Sequence, residues 1–395
     1  MREIENEREE KIEDENDRKK IEEEIEEINN EETEENVLIT NPFNTKDIKI
    51  TPKTTTLYNI IKRLEHDEID LNPDFQRNSG LWDNPKMSRL IESIILRLPL
   101  PIFYFDISDN DKWIVIDGLQ RLTTIKRFIV EKKLKLTNLE FLKELQGKKF
   151  NDLDRSIQRT IEETEIVTYQ MEPQTPKEVR YSVFNRINTG GVILNPQEIR
   201  QALNQKNNGV NLLKEIAETE TFREIVNITS KRMVDRELVL RFIAFKKYKY
   251  TKFHNEVKTL PKLLDETMEI VDTEIFEENE FIKMKNTLLK TLEFLEKIFD
   301  RDTLFNKKLV DSKKTRTLNK SLFEIWTVLI SDLTDEEQIK LENKKEDLLN
   351  GYRKLLLSQE FNDSITKGTN DRKVIVKRFS LLENLIRSVI NDKQA

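Results

Sequence analysis

The apolar positions change period along the chain. Leu57, Ile60, Ile61 and Leu64 share one face of a helix predicted over 55–66. Met87, Leu90, Ile91, Ile94, Ile95 and Leu98 do the same over 84–98, and Pro99 and Pro101 end that helix. Extended segments are expected at Ile69–Leu71, Ile102–Ile107 and Trp113–Asp117, the last two separated by the polar turn 108–112. A helix is expected from about Gln120 to Lys132, with Leu122, Ile125, Phe128 and Ile129 inward. The pattern reads helical again over 139–163, extended over Glu165–Met171, and helical over 176–188 as far as Gly190 and Gly191. Asn195 and Pro196 then have the residue types of a helix cap and first turn. Beyond about 210 nearly every apolar run is helical, and no internal repeat is visible.

This order predicts an α+β chain in three parts: a tail over 1–36, a small mixed sheet with helices over 37–220, and a helical domain over 221–395. The tail contains 18 acidic and 6 basic residues, so it carries −12 of a chain total of −7 and leaves the rest at +5. With its sparse isoleucines it is expected to be a disordered or frayed-helix segment. The acidic total therefore comes from the tail and excludes no nucleic-acid partner for the body, whose mild +5 does not argue for one either. There is no cysteine, which excludes disulfides and cysteine-ligated zinc and fits a reducing compartment. No apolar run approaches the roughly 20 residues of a membrane span, and the N-terminus has no signal-peptide core. A cytoplasmic protein is expected.

Three clusters carry candidate chemistry. In Trp113–Thr124 a buried strand ends at Asp117-Gly118 and turns directly into a helix. Glycine permits the tight turn and the close approach of a ligand, and the free N–H groups of a helix start attract phosphate. Arg121 adds a donor fork suited to phosphate oxygens, and Thr123 and Thr124 add hydroxyls. Asp117 would hold a ribose hydroxyl, a magnesium ion or simply the turn, and an ordinary capped strand–turn–helix accounts for the same residues. The second cluster, Asn72-Pro73-Asp74-Phe75-Gln76-Arg77 followed by Trp82, would line a base or phosphate pocket or plug the core with its aromatics. The third is Phe184-Asn185-Arg186-Ile187-Asn188-Thr189-Gly190-Gly191 with Pro196-Gln197-Glu198-Ile199-Arg200, a helix–loop–helix whose bland reading is a polar corner.

Taken in order, these motifs resemble the N-terminal domain family of GmrSD-type restriction endonucleases, related to the ParB/sulfiredoxin-like fold. The resemblance covers about 55–250, where Met233–Phe242 also looks familial. It implies nucleotide binding, with NTP hydrolysis in some members, coupled to restriction of foreign DNA in phage defence. The family's Asp-Gly-Gln-Gln-Arg carries over onto Asp117, Gly118, Gln120 and Arg121 and departs at Leu119, where the first glutamine is often found. Catalysis, if present, would rest on Asp117, Gln120 and Arg121. Nucleotide binding would rest on Gln76, Arg77, Gly118, Arg121, Thr123, Thr124, Arg186, Asn188, Thr189, Gly190 and Gly191. An NTP with Mg2+ is the implied cofactor; DNA and a separate nuclease or defence subunit are the implied partners.

The eight glycines match neither a P-loop nor a dinucleotide fingerprint. The two histidines, His66 and His254, sit in no nuclease-like pattern, so little nuclease activity is expected of this chain alone. Two other readings stay open: a DNA-binding protein without catalysis, with the same arginines on backbone phosphates, and a metal-dependent nuclease built on Asp106, Asp117 and nearby carboxylates.

Overall fold

The computed structural model of the chain describes residues 48–71, 82–108, 111–187, 195–204, 208–228, 232–252, 259–272, 278–311 and 317–391. The expected tail over 1–36 lies outside them, as do Phe75, Gln76, Arg77, Asn188, Thr189, Gly190, Gly191 and His254. The chain divides into two compact units near residue 205.

The first unit is a mixed sheet with helices. In chain order it has β1 (Ile50–Thr56), α1 (Leu57–Glu65), β2 (Ile69–Asp70), α2 (Asn84–Ile95), β3 (Phe103–Asp106), β4 (Trp113–Asp117), α3 (Leu119–Ile125), α4 (Arg155–Glu162), β5 (Glu165–Met171), α5 (Lys177–Ile187) and α6 (Pro196–Leu203). The sheet order is β1-β5-β3-β4-β2, with β3 parallel to β5 and antiparallel to β4. One face of the sheet bears Phe103, Phe105, Val115 and Ile166, which pack with the apolar faces of α1, α2 and α3 into a single core. A turn of π-helix over Lys126–Val130 continues α3 and points Phe128 and Ile129 inward.

Two stretches differ from the expectation. β1, which reads ITPKTTT, has no apolar alternation, yet it pairs along its whole length with β5, from Ile50↔Met171 to Thr56↔Glu165. It is the outermost strand among the described residues, where Pro52 and a polar outer face are tolerated. The segment 139–154 has helical spacing but forms only short 3-10 turns. Buried Glu92 on α2 accepts hydrogen bonds from the N–H groups of Glu140, Phe141 and Leu142 at 3.0, 2.7 and 2.8 Å. Asn138 and Gly147 take positive φ on either side. A tertiary anchor thus overrides a weak local propensity.

The second unit is helical: α7 (Asn208–Ala217), α8 (Glu220–Val226), α9 (Val234–Lys247), α10 (Leu260–Asp272), α11 (Glu278–Ile298), α12 (Lys320–Ser331), α13 (Asp335–Asn343), α14 (Lys345–Leu357), α15 (Gln359–Ser364) and α16 (Arg372–Ile390). α7 and α8 belong to it because Val210, Leu213, Phe222 and Ile225 join its core. α9 and α12 are buried almost all round. Between them lies an ionic cluster: Arg241 donates to Glu237 at 2.7 Å and to Glu324 at 2.9 Å, Lys320 to Glu237 at 2.8 Å, and Arg378 of α16 to Glu324 at 2.7 Å. No helix among the described residues is long and apolar enough to cross a membrane.

Candidate functional site

The site grows out of the end of β4. Trp113–Asp117 pairs with β2 at its first two residues, Trp113 and Ile114, and with β3 as far as its last, where Asp117 lies opposite Tyr104. Gly118 follows at φ 105° and starts α3. A side chain there would be doubly costly, since φ is left-handed and an added Cβ would come 2.5 Å from the Phe103 ring. The turn is tight because the backbone must pass over that ring.

Arg121, on the first turn of α3, faces inward. Its guanidinium donates to the carbonyl of Pro101, to that of Ile102 at 3.0 Å and to Asp117 Oδ2 at 2.9 Å. It also lies 4.3 Å from the centre of the Phe103 ring. Burial pushes this guanidinium below its usual value, and Asp117 counters the shift. Arg121 therefore fastens three pieces of chain: the Pro101-Ile102 lead into β3, the end of β4, and α3. The Asp117 side chain stays 40% exposed while that of Arg121 is 9% exposed. The carboxylate is the part of the motif turned toward solvent.

Other motif residues divide in the same way. Gln120 Oε1 accepts from the Trp82 N–H at 3.1 Å, which ties the chain just after the Phe75-Gln76-Arg77 segment to the Asp117 turn. Thr124 is buried, and its hydroxyl donates to the Gln120 carbonyl at 2.8 Å, whereas Thr123 is partly exposed. Leu119, where the family motif has glutamine, packs against the core. Arg186 is exposed in the last turn of α5. The structure thus brings Asp117, Gly118, Gln120 and Arg121 together. The spacing of the motif did not reveal the Pro101 and Ile102 carbonyls or the Trp82 tether, because these partners come from distant parts of the chain.

Asp106 does not join Asp117. It pairs with Ile114, three residues back along β4, or about 10 Å. Its two oxygens accept from the Ser108 N–H at 2.8 Å and from Arg180 at 3.4 Å. Among the described residues no three His, Asp or Glu side chains are grouped to hold a metal. His66 lines a separate polar groove with Lys53, Asn59, Lys62, Arg63 and Trp113, at the other end of β4.

Residues 57–205 match the family described as GmrSD restriction endonuclease, N-terminal domain. These residues form a GmrSD N-terminal domain. The match runs from α1 to just past α6, within the α+β unit, and the helical unit lies outside it. The GmrSD domain sets the chain in a restriction-like, phage-defence context. No curated protein matches the chain, and no solved structure does.

Proposed function

We propose that the GmrSD domain binds a nucleotide at the turn between β4 and α3, and that the chain acts as an NTP-responsive switch or sensor in a restriction-like defence system. The observation that carries this reading is the Asp117-Gly118 turn: an outward carboxylate beside the start of a helix, braced from behind by a buried arginine. The first N–H groups of a helix have no partner within it and favour phosphate oxygens. Asp117 then takes a ribose hydroxyl or the Mg2+ of the nucleotide; Mg2+ commonly sits on one or two carboxylates and the phosphates themselves. Arg121 is a positioning residue in this reading, since its donors hold main-chain carbonyls and Asp117. Gln76, Arg77 and Asn188–Gly191 keep the phosphate and pocket-closing roles that the family resemblance implies for them. A separate nuclease or defence subunit is the effector.

The test is a thermal-shift screen of the full chain against each NTP with Mg2+. A ligand that binds only the native state at a hundredfold its Kd adds about 2.7 kcal/mol of stability. The expected outcome is a rise in Tm with at least one NTP, abolished in Asp117→Ala. The reading is overturned if no NTP moves the melt. Phosphate release in the same samples adds hydrolysis. Binding of DNA with a steep salt dependence and no nucleotide effect points instead to a DNA-binding protein.

A further inference from the structure

Helix α6 buries more polar side chains than its own structure uses. Gln197, Glu198, Arg200 and Gln201 are all nearly inaccessible. Glu198 is accounted for, because its carboxylate accepts from the Asn195 N–H at 2.7 Å while its own N–H donates to Asn195 Oδ1 at 2.8 Å. The glutamines are not. Both polar atoms of the Gln197 side chain, and Oε1 of Gln201, are buried with no hydrogen-bond partner among the described residues. Gln197 is 0% exposed.

Buried amides are almost always paired, because an unpaired one forfeits its bonds to water without recompense. A helix that needed only to pack would carry Leu or Met at these positions. Spaced i, i+4, the two glutamines lie one above the other on the same side of α6. The adjoining helix α5 shows the same feature: Arg180 Nε is buried with no partner among the described residues, while its Nη1 donates to Asp106 at 3.4 Å. α5 packs against both α6 and β4, the strand that ends at Asp117.

We infer that Gln197 and Gln201 form a recognition edge for the base of the nucleotide, an inference that rests on the nucleotide reading of the Asp117 turn. An amide side chain presents one donor and one acceptor in a plane, the pattern that pairs with the polar edge of a purine or pyrimidine. Gln197 offers both, and Gln201 adds an acceptor beside it. The amide pair discriminates among bases, while the β4–α3 turn takes the phosphates common to all of them. The enclosure of Gln197 means that α5 or α6 shifts to admit the base.

The experiment is calorimetric titration of the full chain with ATP, GTP, CTP and UTP, and with inorganic tripolyphosphate as a base-free probe. It uses wild type, the double variant Gln197→Met/Gln201→Met and the gentler single variant Gln201→Met. Methionine has nearly the shape of glutamine and leaves no orphaned polar atom. In the double variant the preferred NTP is expected to lose roughly tenfold or more in affinity and the spread among the four bases to collapse. Tripolyphosphate affinity should hold, and the ligand-free melt should be no lower than that of wild type. The single variant should show a smaller loss of the same kind. An unchanged base spectrum in folded variants, with binding still dependent on Asp117, overturns the inference and leaves the nucleotide reading in place. A lower ligand-free melt with an unchanged base spectrum also overturns it, since the glutamines then serve the fold. Absence of any NTP binding by wild type overturns both.

Discussion

Each unit of the chain buries arginine, but in opposite ways. In the helical unit, Arg378 and Glu324 are sealed at 0% exposure, and Arg241 and Lys320 close the cluster around Glu237. Burial opposes the charge on Arg241, but Glu237 and Glu324 outweigh it and hold the guanidinium above its usual value. Every acid there meets a base, and the whole cluster is surrounded by apolar core. In the GmrSD domain, Arg121 is buried just as firmly, but its carboxylate partner opens to solvent on one side. The first arrangement has no side left for a ligand and serves the fold. The second uses the same chemistry to hold a carboxylate at a surface. An ion pair is a functional candidate when one partner is fixed and the other is left accessible.

That contrast can be broken, and the largest effect is expected in the sealed cluster. Glu324→Ala removes the carboxylate that faces Arg378 and leaves Arg241 with Glu237 alone, and breaking a buried pair costs about 3–5 kcal/mol. Urea or thermal melts should show the helical unit losing most of its stability. Arg121→Ala leaves the Pro101 and Ile102 carbonyls and the Asp117 carboxylate without their donor. A loss of about 2–3 kcal/mol is expected in denaturant melts, along with weaker nucleotide binding. Arg121→Lys should rescue neither fully, because an ammonium cannot span the three acceptors in one plane. Gly118→Ala forces a side chain into a left-handed backbone and against Phe103, a strain of about 1–3 kcal/mol.

Two smaller effects sharpen the contrast. Glu92 feels burial most strongly, which works against its anion, but the N–H groups of Leu142, Glu140 and Phe141 prevail and hold its pKa below the usual glutamate value. A lowered folded-state pKa means that the stabilisation is complete above the unfolded-state value and is lost as pH falls through the folded one. Glu92→Gln should cost about 1–2 kcal/mol at neutral pH and flatten the acid limb of the pH–stability curve. If the mutant and wild-type curves stay parallel, the anchor is not electrostatic. Asp117→Asn, at the open end of the Arg121 pair, should change stability by under about 1 kcal/mol yet weaken binding of the Mg2+ nucleotide in the same titrations.

Much of this was legible in the chain itself. The boundaries of β4 and β5 fall where apolar runs meet turn residues, and α6 begins at Asn195-Pro196 because the cap and first-turn residues are local signals. The α+β order followed from the change of period. What escaped was set by distant partners. β1 has no alternation to read, since it is defined by its ladder to β5. The segment 139–154 looks helical until Glu92 takes its N–H groups. Arg121 reads as a phosphate ligand until the Pro101 and Ile102 carbonyls are seen beneath it. No spacing rule distinguishes the buried amide atoms of Gln197 and Gln201 that lack a partner among the described residues from solvated ones.

The π-turn after α3 bears on how this domain tolerates changes in length. The Glu131 N–H reaches back five residues to the Lys126 carbonyl, so the helix carries one residue more than an α-helical path needs. Removing one residue from 126–130 would restore regular winding, at about 100° per residue. The core is held by Phe128 and Ile129, so the rotation would pass to the start of the helix and swing Arg121 away from its carbonyls. A one-residue deletion in 126–130 is therefore expected to disturb the Asp117 turn from a distance.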